Sequence, residues 1–102
     1  MWLFTKHGFY SVVQKEGVMH VRARKREHLE TLRREYGVKP KVREWKQADY
    51  KFRVLLEPAE WERLAACLLR DIDYDNFKTA CRSLPPAVLH TVWNLMWRAL
   101  GT

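Results

Sequence analysis

The sequence predicts a single α+β domain in which roughly four antiparallel strands form a sheet with helices on one face, in ferredoxin-like layering. Three observations carry that expectation. Between Tyr50 and Leu56 the positions Tyr50, Phe52, Val54 and Leu56 are apolar while Lys51 and Arg53 are charged, the two-residue period of a strand with one buried face. Past Glu57-Pro58 the period changes, and Trp61, Leu64, Ala65, Leu68, Leu69 and Ile72 recur at helical spacing. Near the end of the chain Leu89, Val92, Trp93, Met96, Trp97 and Leu100 repeat that spacing. The Tyr50 strand face and the Trp61 helix face are expected to form the centre of one core. Burying the large side chains of that helix at about 1.5–3 kcal/mol each contributes on the order of 10 kcal/mol, an upper figure because unfolded chains are already partly collapsed.

Taken in order, Trp2–Phe4 and Phe9–Lys15 read as extended segments, interrupted by Lys6, His7 and Gly8. Glu16-Gly17 suits a hairpin tip, after which Val18–Arg24 forms a strand with Met19, Val21 and Ala23 on one side and His20, Arg22 and Arg24 on the other. A first helix follows from about Arg26 to Tyr36, with Leu29, Leu32 and Tyr36 on a narrow stripe that suits a surface position, and Gly37 as its C′ residue. Lys41–Lys46 reads as a strand with Lys41, Arg43 and Trp45 on one side, and Gln47, Ala48 and Asp49 turn it into the Tyr50 strand. Pro58 suits the first turn of a helix, where a missing N–H leaves nothing unpaired. Asp73 or Asp75 is expected to cap a short helix from about Asn76 to Arg82, and Pro85-Pro86 separates it from the terminal helix, Ala87–Leu100. The Trp61 helix and the terminal helix are expected to cover the sheet together.

At 102 residues, 47% of them hydrophobic, the chain supplies one core and one domain. Its opening apolar run is too short for a signal peptide, and no stretch approaches the ~20 apolar residues of a membrane span, so a cytoplasmic protein without a membrane partner is expected. Two cysteines without CxxC spacing, Cys67 and Cys81, read as reduced thiols. The net charge of +7 is unevenly placed: residues 1–57 hold 14 Lys and Arg against 7 Asp and Glu, whereas residues 58–102 hold 5 against 5. Such segregation points to nucleic acid or an acidic protein surface as partner.

If the helices occupy one face, then His20, Arg22, Arg24, Lys41, Arg43, Trp45, Lys51 and Arg53 should gather on the open one. Cations there would neutralise phosphates while Trp45 stacked on an unpaired base, without base-specific readout. The plainer alternative is that Lys and Arg keep an exposed sheet solvated. The terminal helix is apolar around well over half its circumference, with Val88, Leu95 and Ala99 forming a second stripe. It needs cover on two sides, which a homodimer or partner burying Val88, Trp93, Leu95 and Trp97 would provide. Otherwise the short helix at Asn76 folds over it.

Catalytic and metal signatures are weak. Asp71, Asp73 and Asp75 open like a calcium loop, but Asn76 and Arg82 stand where the turn glycine and bidentate glutamate belong. His7, His20, His28 and His90 lack ligand spacing, and no triad can be assembled. No metal, no cofactor and no catalytic residue is expected.

Met1-Trp2-Leu3-Phe4-Thr5, Gly8-Phe9-Tyr10-Ser11-Val12-Val13, Asp49-Tyr50 and Ile72-Asp73-Tyr74-Asp75-Asn76-Phe77-Lys78, followed by the Trp93 helix, resemble a family of small, uncharacterised bacterial and phage-associated proteins. The resemblance covers nearly the whole chain. It implies a bacterial or phage cytoplasmic origin and carries over no functional residue. The resulting expectation is a non-enzymatic basic protein that engages nucleic acid through its open sheet face. The alternative is an interaction module or phage-type inhibitor that dimerises or docks through its terminal helix.

Overall fold

Alternation builds the sheet strand by strand. In a computed structural model, which describes residues 1–101, the strands are β1 (Trp2–Thr5), β2 (Gly8–Lys15), β3 (Val18–Ala23), β4 (Arg43–Glu44) and β5 (Phe52–Leu56). They form one antiparallel sheet in the order β1-β2-β3-β5-β4. The fold class is the expected one, with one more strand. β1, β2 and β3 are a meander, and β5 returns beside β3 after a helix, so the sheet shares only its layering with ferredoxin-like folds. Glu16 and Gly17, at φ 50° and 79°, make the tight β2–β3 turn.

Helices α1 (Arg26–Tyr36) and α2 (Pro58–Arg70) cover the face that carries Tyr10, Val12, Val21, Ala23, Val54 and Leu56. From α1 come Leu29 and Leu32, 0% and 2% exposed, and from α2 comes Leu64 at 4%. α1 lies at the surface, with Arg26, Glu27, Arg34 and Glu35 exposed, yet its narrow stripe covers the sheet where the terminal helix was expected, because two leucines one turn apart reach the core. α1 ends at Gly37 with φ 66°, where a left-handed residue suits glycine. Glu60 Oε1 accepts a hydrogen bond from the Glu57 N–H at 3.1 Å, satisfying an amide at the start of α2. Leu69 and Ile72 continue the helical spacing on paper but are 69% and 58% exposed.

The remaining helices lie elsewhere. α3 (Phe77–Ala80) is capped by Asn76, whose Oδ1 accepts from Thr79 N at 3.2 Å, rather than by Asp73 or Asp75. The link from α3 to α4 (Pro86–Leu100) is tied to the β1–β2 turn: Ser83 Oγ donates to Lys6 O at 3.1 Å, and Cys81 Sγ lies 3.7 Å from Thr5 O. α4 does not join α2 as cover for the core, because α1 has filled that place. It packs beside Phe4, which with Phe9 occupies the opposite face. Among the described residues no helix is long and apolar enough to cross a membrane.

Candidate interaction surfaces

Register fixes the layout of the basic face. Ser11, Arg22, Arg53 and Arg43 are successive partners across β2, β3, β5 and β4, which puts three arginines in one row. Like charges directly opposite one another destabilise a sheet, so the two inner guanidiniums, Arg22 and Arg53, need other partners, while Arg43 at the edge is open to solvent. Arg53 is held by a roof. The segment 45–51 leaves the ladder, with Trp45 N donating to Lys51 O at 2.7 Å, and folds over it. Trp45 places its ring 3.8 Å from the Arg53 guanidinium carbon, a cation–π contact. Nη1 of Arg53 donates to His20 Nδ1 at 3.1 Å and Nη2 to Tyr50 O at 3.2 Å. Burial, then the Arg53 charge, lowers the His20 pKa, which keeps its Nδ1 an acceptor.

Arg53 is thus 2% exposed and His20 7%, so these two of the eight predicted contact residues are withdrawn from the surface. The expected face is partly covered by its own chain. Tyr50 is also displaced. Strand alternation puts it toward the Trp61 helix, but β5 begins only at Phe52, and the Tyr50 ring instead sits on the basic face between Arg22 and Arg24, 4.7 and 4.5 Å from their guanidinium carbons. Arg22 donates to the Ser11 hydroxyl at 2.8 Å, and Arg24 pairs with Asp49 at 3.1 Å. What stays open is the β4 edge: Lys41, Arg43 and Lys51 are exposed, with Trp45 at 41%. Lys39 and Lys46 are exposed beside them and were not among the predicted residues, although Lys39 falls in alternation with Lys41 and Arg43.

The four predicted residues of the terminal helix are all exposed: Val88 41%, Trp93 46%, Leu95 59% and Trp97 53%, joined by Met96 at 51% and Leu100 at 77%. Leu89 is the buried residue of α4. Its first turns rest on Phe4 and Phe77, while from Leu95 to Leu100 every residue is exposed. The short helix at Asn76 therefore does not fold over both stripes. Trp93 and Trp97 stack on each other with centroids 5.7 Å apart, His90 stacks on Trp93, and Lys78 lies 5.2 Å above it.

The aspartates of the D-x-D-x-D run diverge. Asp71 accepts a hydrogen bond from the Tyr36 hydroxyl, Asp73 pairs with Lys6 at 3.1 Å, and Asp75 is exposed. Among the described residues no three His, Cys, Asp or Glu side chains are grouped to hold a metal ion. Comparison of the chain with family models, with curated proteins and with solved structures finds no match.

Proposed function

We propose that this protein is a non-enzymatic interaction module that docks through α4, and that the docked surface is a second copy of the same chain. The observation that carries this is the exposure of six large apolar side chains on one fifteen-residue helix. At about 150–250 Å² for a fully buried aromatic, half-exposed Trp93 and Trp97 leave on the order of 200 Å² open, and the four other apolar residues bring the total over both stripes of the helix to roughly 600 Å². That is at the upper end of the largest apolar patch on a typical monomer and near the ~800 Å² each partner contributes to a standard interface.

Charge favours a second copy. Residues 58–102 are net neutral, and α4 carries Arg98 as its one Lys, Arg, Asp or Glu side chain. The open cations Lys41, Arg43 and Lys51 belong to the β4 side of the sheet, whereas α4 adjoins β1, four strand spacings or about 19 Å away. That separation exceeds the ~8 Å screening length at physiological ionic strength. Pairing two α4 helices brings together surfaces whose cations are few, Arg98 and the Lys78 over Trp93, and leaves the more strongly cationic β4 edges outward, free for an acidic partner.

Sedimentation at tens of micromolar concentration tests it. The wild type should run at twice the 12.3 kDa chain mass, and Leu95→Glu with Trp97→Glu should run as a folded monomer. A wild-type monomer overturns the proposal. A second reading, nucleic acid on the β4 edge, is favoured by the exposed group Lys39, Lys41, Arg43, Lys46 and Lys51 around Trp45. For contacts to about five phosphates, single-stranded DNA affinity should fall with salt at a log-log slope of about −3.5 and weaken in Arg43→Glu with Lys51→Glu. No binding at low salt overturns that reading.

A further inference from the structure

A second apolar feature lies at the β1 edge and owes nothing to the roof or to the exposed end of α4. A cavity of about 270 Å³ opens between β1, the C-terminal half of α2 and the segment that follows it. Leu3, Trp61 and Leu68 supply apolar wall, and His7, Tyr36 and Asp71 supply the polar part. An apolar enclosure with a few convergent polar groups is the usual form of a small-molecule site. An engineered apolar cavity of about 150 Å³ holds benzene, so this one has room for more than one ring.

The polar groups form a relay with a defined direction. The Tyr36 hydroxyl donates its one proton to Asp71, so its oxygen must accept from His7, whose Nε2 lies 2.8 Å away. Nε2 therefore carries the ring proton and Nδ1 is left with a lone pair. The His7 ring meets Tyr36 edge-on, with centroids 5.4 Å apart and planes at 80°, which holds the imidazole in place. Among the described residues nothing donates to His7 Nδ1. The charged groups on the wall already have hydrogen-bond partners: Lys6 pairs with Asp73, Asp71 accepts from Tyr36, and the Met1 ammonium donates to the Val12 carbonyl. The rest of the wall is apolar, which favours a neutral ligand over one whose charge must be stripped of water, and a single hydrogen-bond donor on it would find one acceptor.

We propose that this cavity binds a neutral aromatic molecule of about two fused rings, held by its apolar body against Trp61 and Leu68 and by one O–H or N–H group donating to His7 Nδ1. Burial of its body against α2 supplies most of the affinity, and the relay supplies the selection.

Calorimetric titration of the full chain with 2-naphthol and with 2-methoxynaphthalene, which lacks the donor, tests both parts. The naphthol should bind saturably with one site per chain and about ten-fold more tightly than the ether, the cost of leaving a donor or an acceptor unmatched. Tyr36→Phe keeps the ring but removes the group that fixes the His7 tautomer, and should bring the ratio toward one. Ala65→Phe, on the cavity wall, should abolish binding of both while leaving the sedimentation mass unchanged. No saturable binding of the naphthol to wild type overturns the site. Equal affinity for the two probes, or retained binding in Ala65→Phe, overturns the assignment of the occupant to this cavity and relay.

Discussion

Gly8 and His28 show how closely single residues set the β1–β2 corner. Gly8 has φ +147°, and a Cβ there would stand 2.3 Å from His28 Cγ. His28 is itself fixed, with Nδ1 accepting from Phe9 N at 3.3 Å and its backbone carbonyl accepting from the Tyr10 hydroxyl at 2.7 Å. Gly8→Ala combines an unfavourable backbone with overpacking and should lower stability by about 2–4 kcal/mol in urea denaturation. An unchanged midpoint would mean that His28 can move aside. Three histidines also set a pH dependence. Burial, the largest cause in each, holds His7, His20 and His28 below the ordinary value near 6.5. Below that value the unfolded chain takes up protons that the folded chain refuses, so stability is full above pH 6.5 and falls as pH drops through the depressed folded values. The urea midpoint should be lower at pH 5.5 than at 7.5, and equal midpoints would remove the linkage.

Among the elements, the segment 45–51 depends on Tyr50, 8% exposed, whose ring is clamped between Arg22 and Arg24 and whose carbonyl holds Arg53. Tyr50→Ala should cost about 3 kcal/mol, whereas Tyr50→Phe, which keeps the ring, should cost less than about 1 kcal/mol. Equal urea midpoints for the two variants would show that the ring does not hold the roof. This roof was hidden from the sequence because Tyr50 fits the strand alternation that begins two residues later at Phe52. Helix positions were far more legible: Gly37 and Pro58 mark the end of α1 and the start of α2 where they were expected. Which helix covers the sheet was not legible. Periodicity ranks α4 above α1 by apolar content, yet α1 follows directly from β3 and its Leu29 and Leu32 fill the core, while Ser83 and Cys81 tether the start of α4 to the β1–β2 turn.

At the scale of the whole molecule, the split of charge between the halves could be read from composition, and the sheet order gives it a geometry. β1 and β4 are opposite edges, so the apolar helix and the open cations stand far apart. Arg53 and His20 could not be recognised as interior from their positions in alternation, because that pattern says which face a residue takes and not whether the face is covered. Exposure of Val88, Trp93, Leu95 and Trp97 was foreseeable because a helix apolar on two sides exceeds what a chain of this length can cover.

The opposed placement of cations and α4 makes the molecule polarised, like a detergent with a folded head. Adsorbed on an anionic solid such as mica, it would settle with β4 down and α4 upward. A monolayer formed in this way would present a greasy outer surface, on which a second layer could assemble tail to tail.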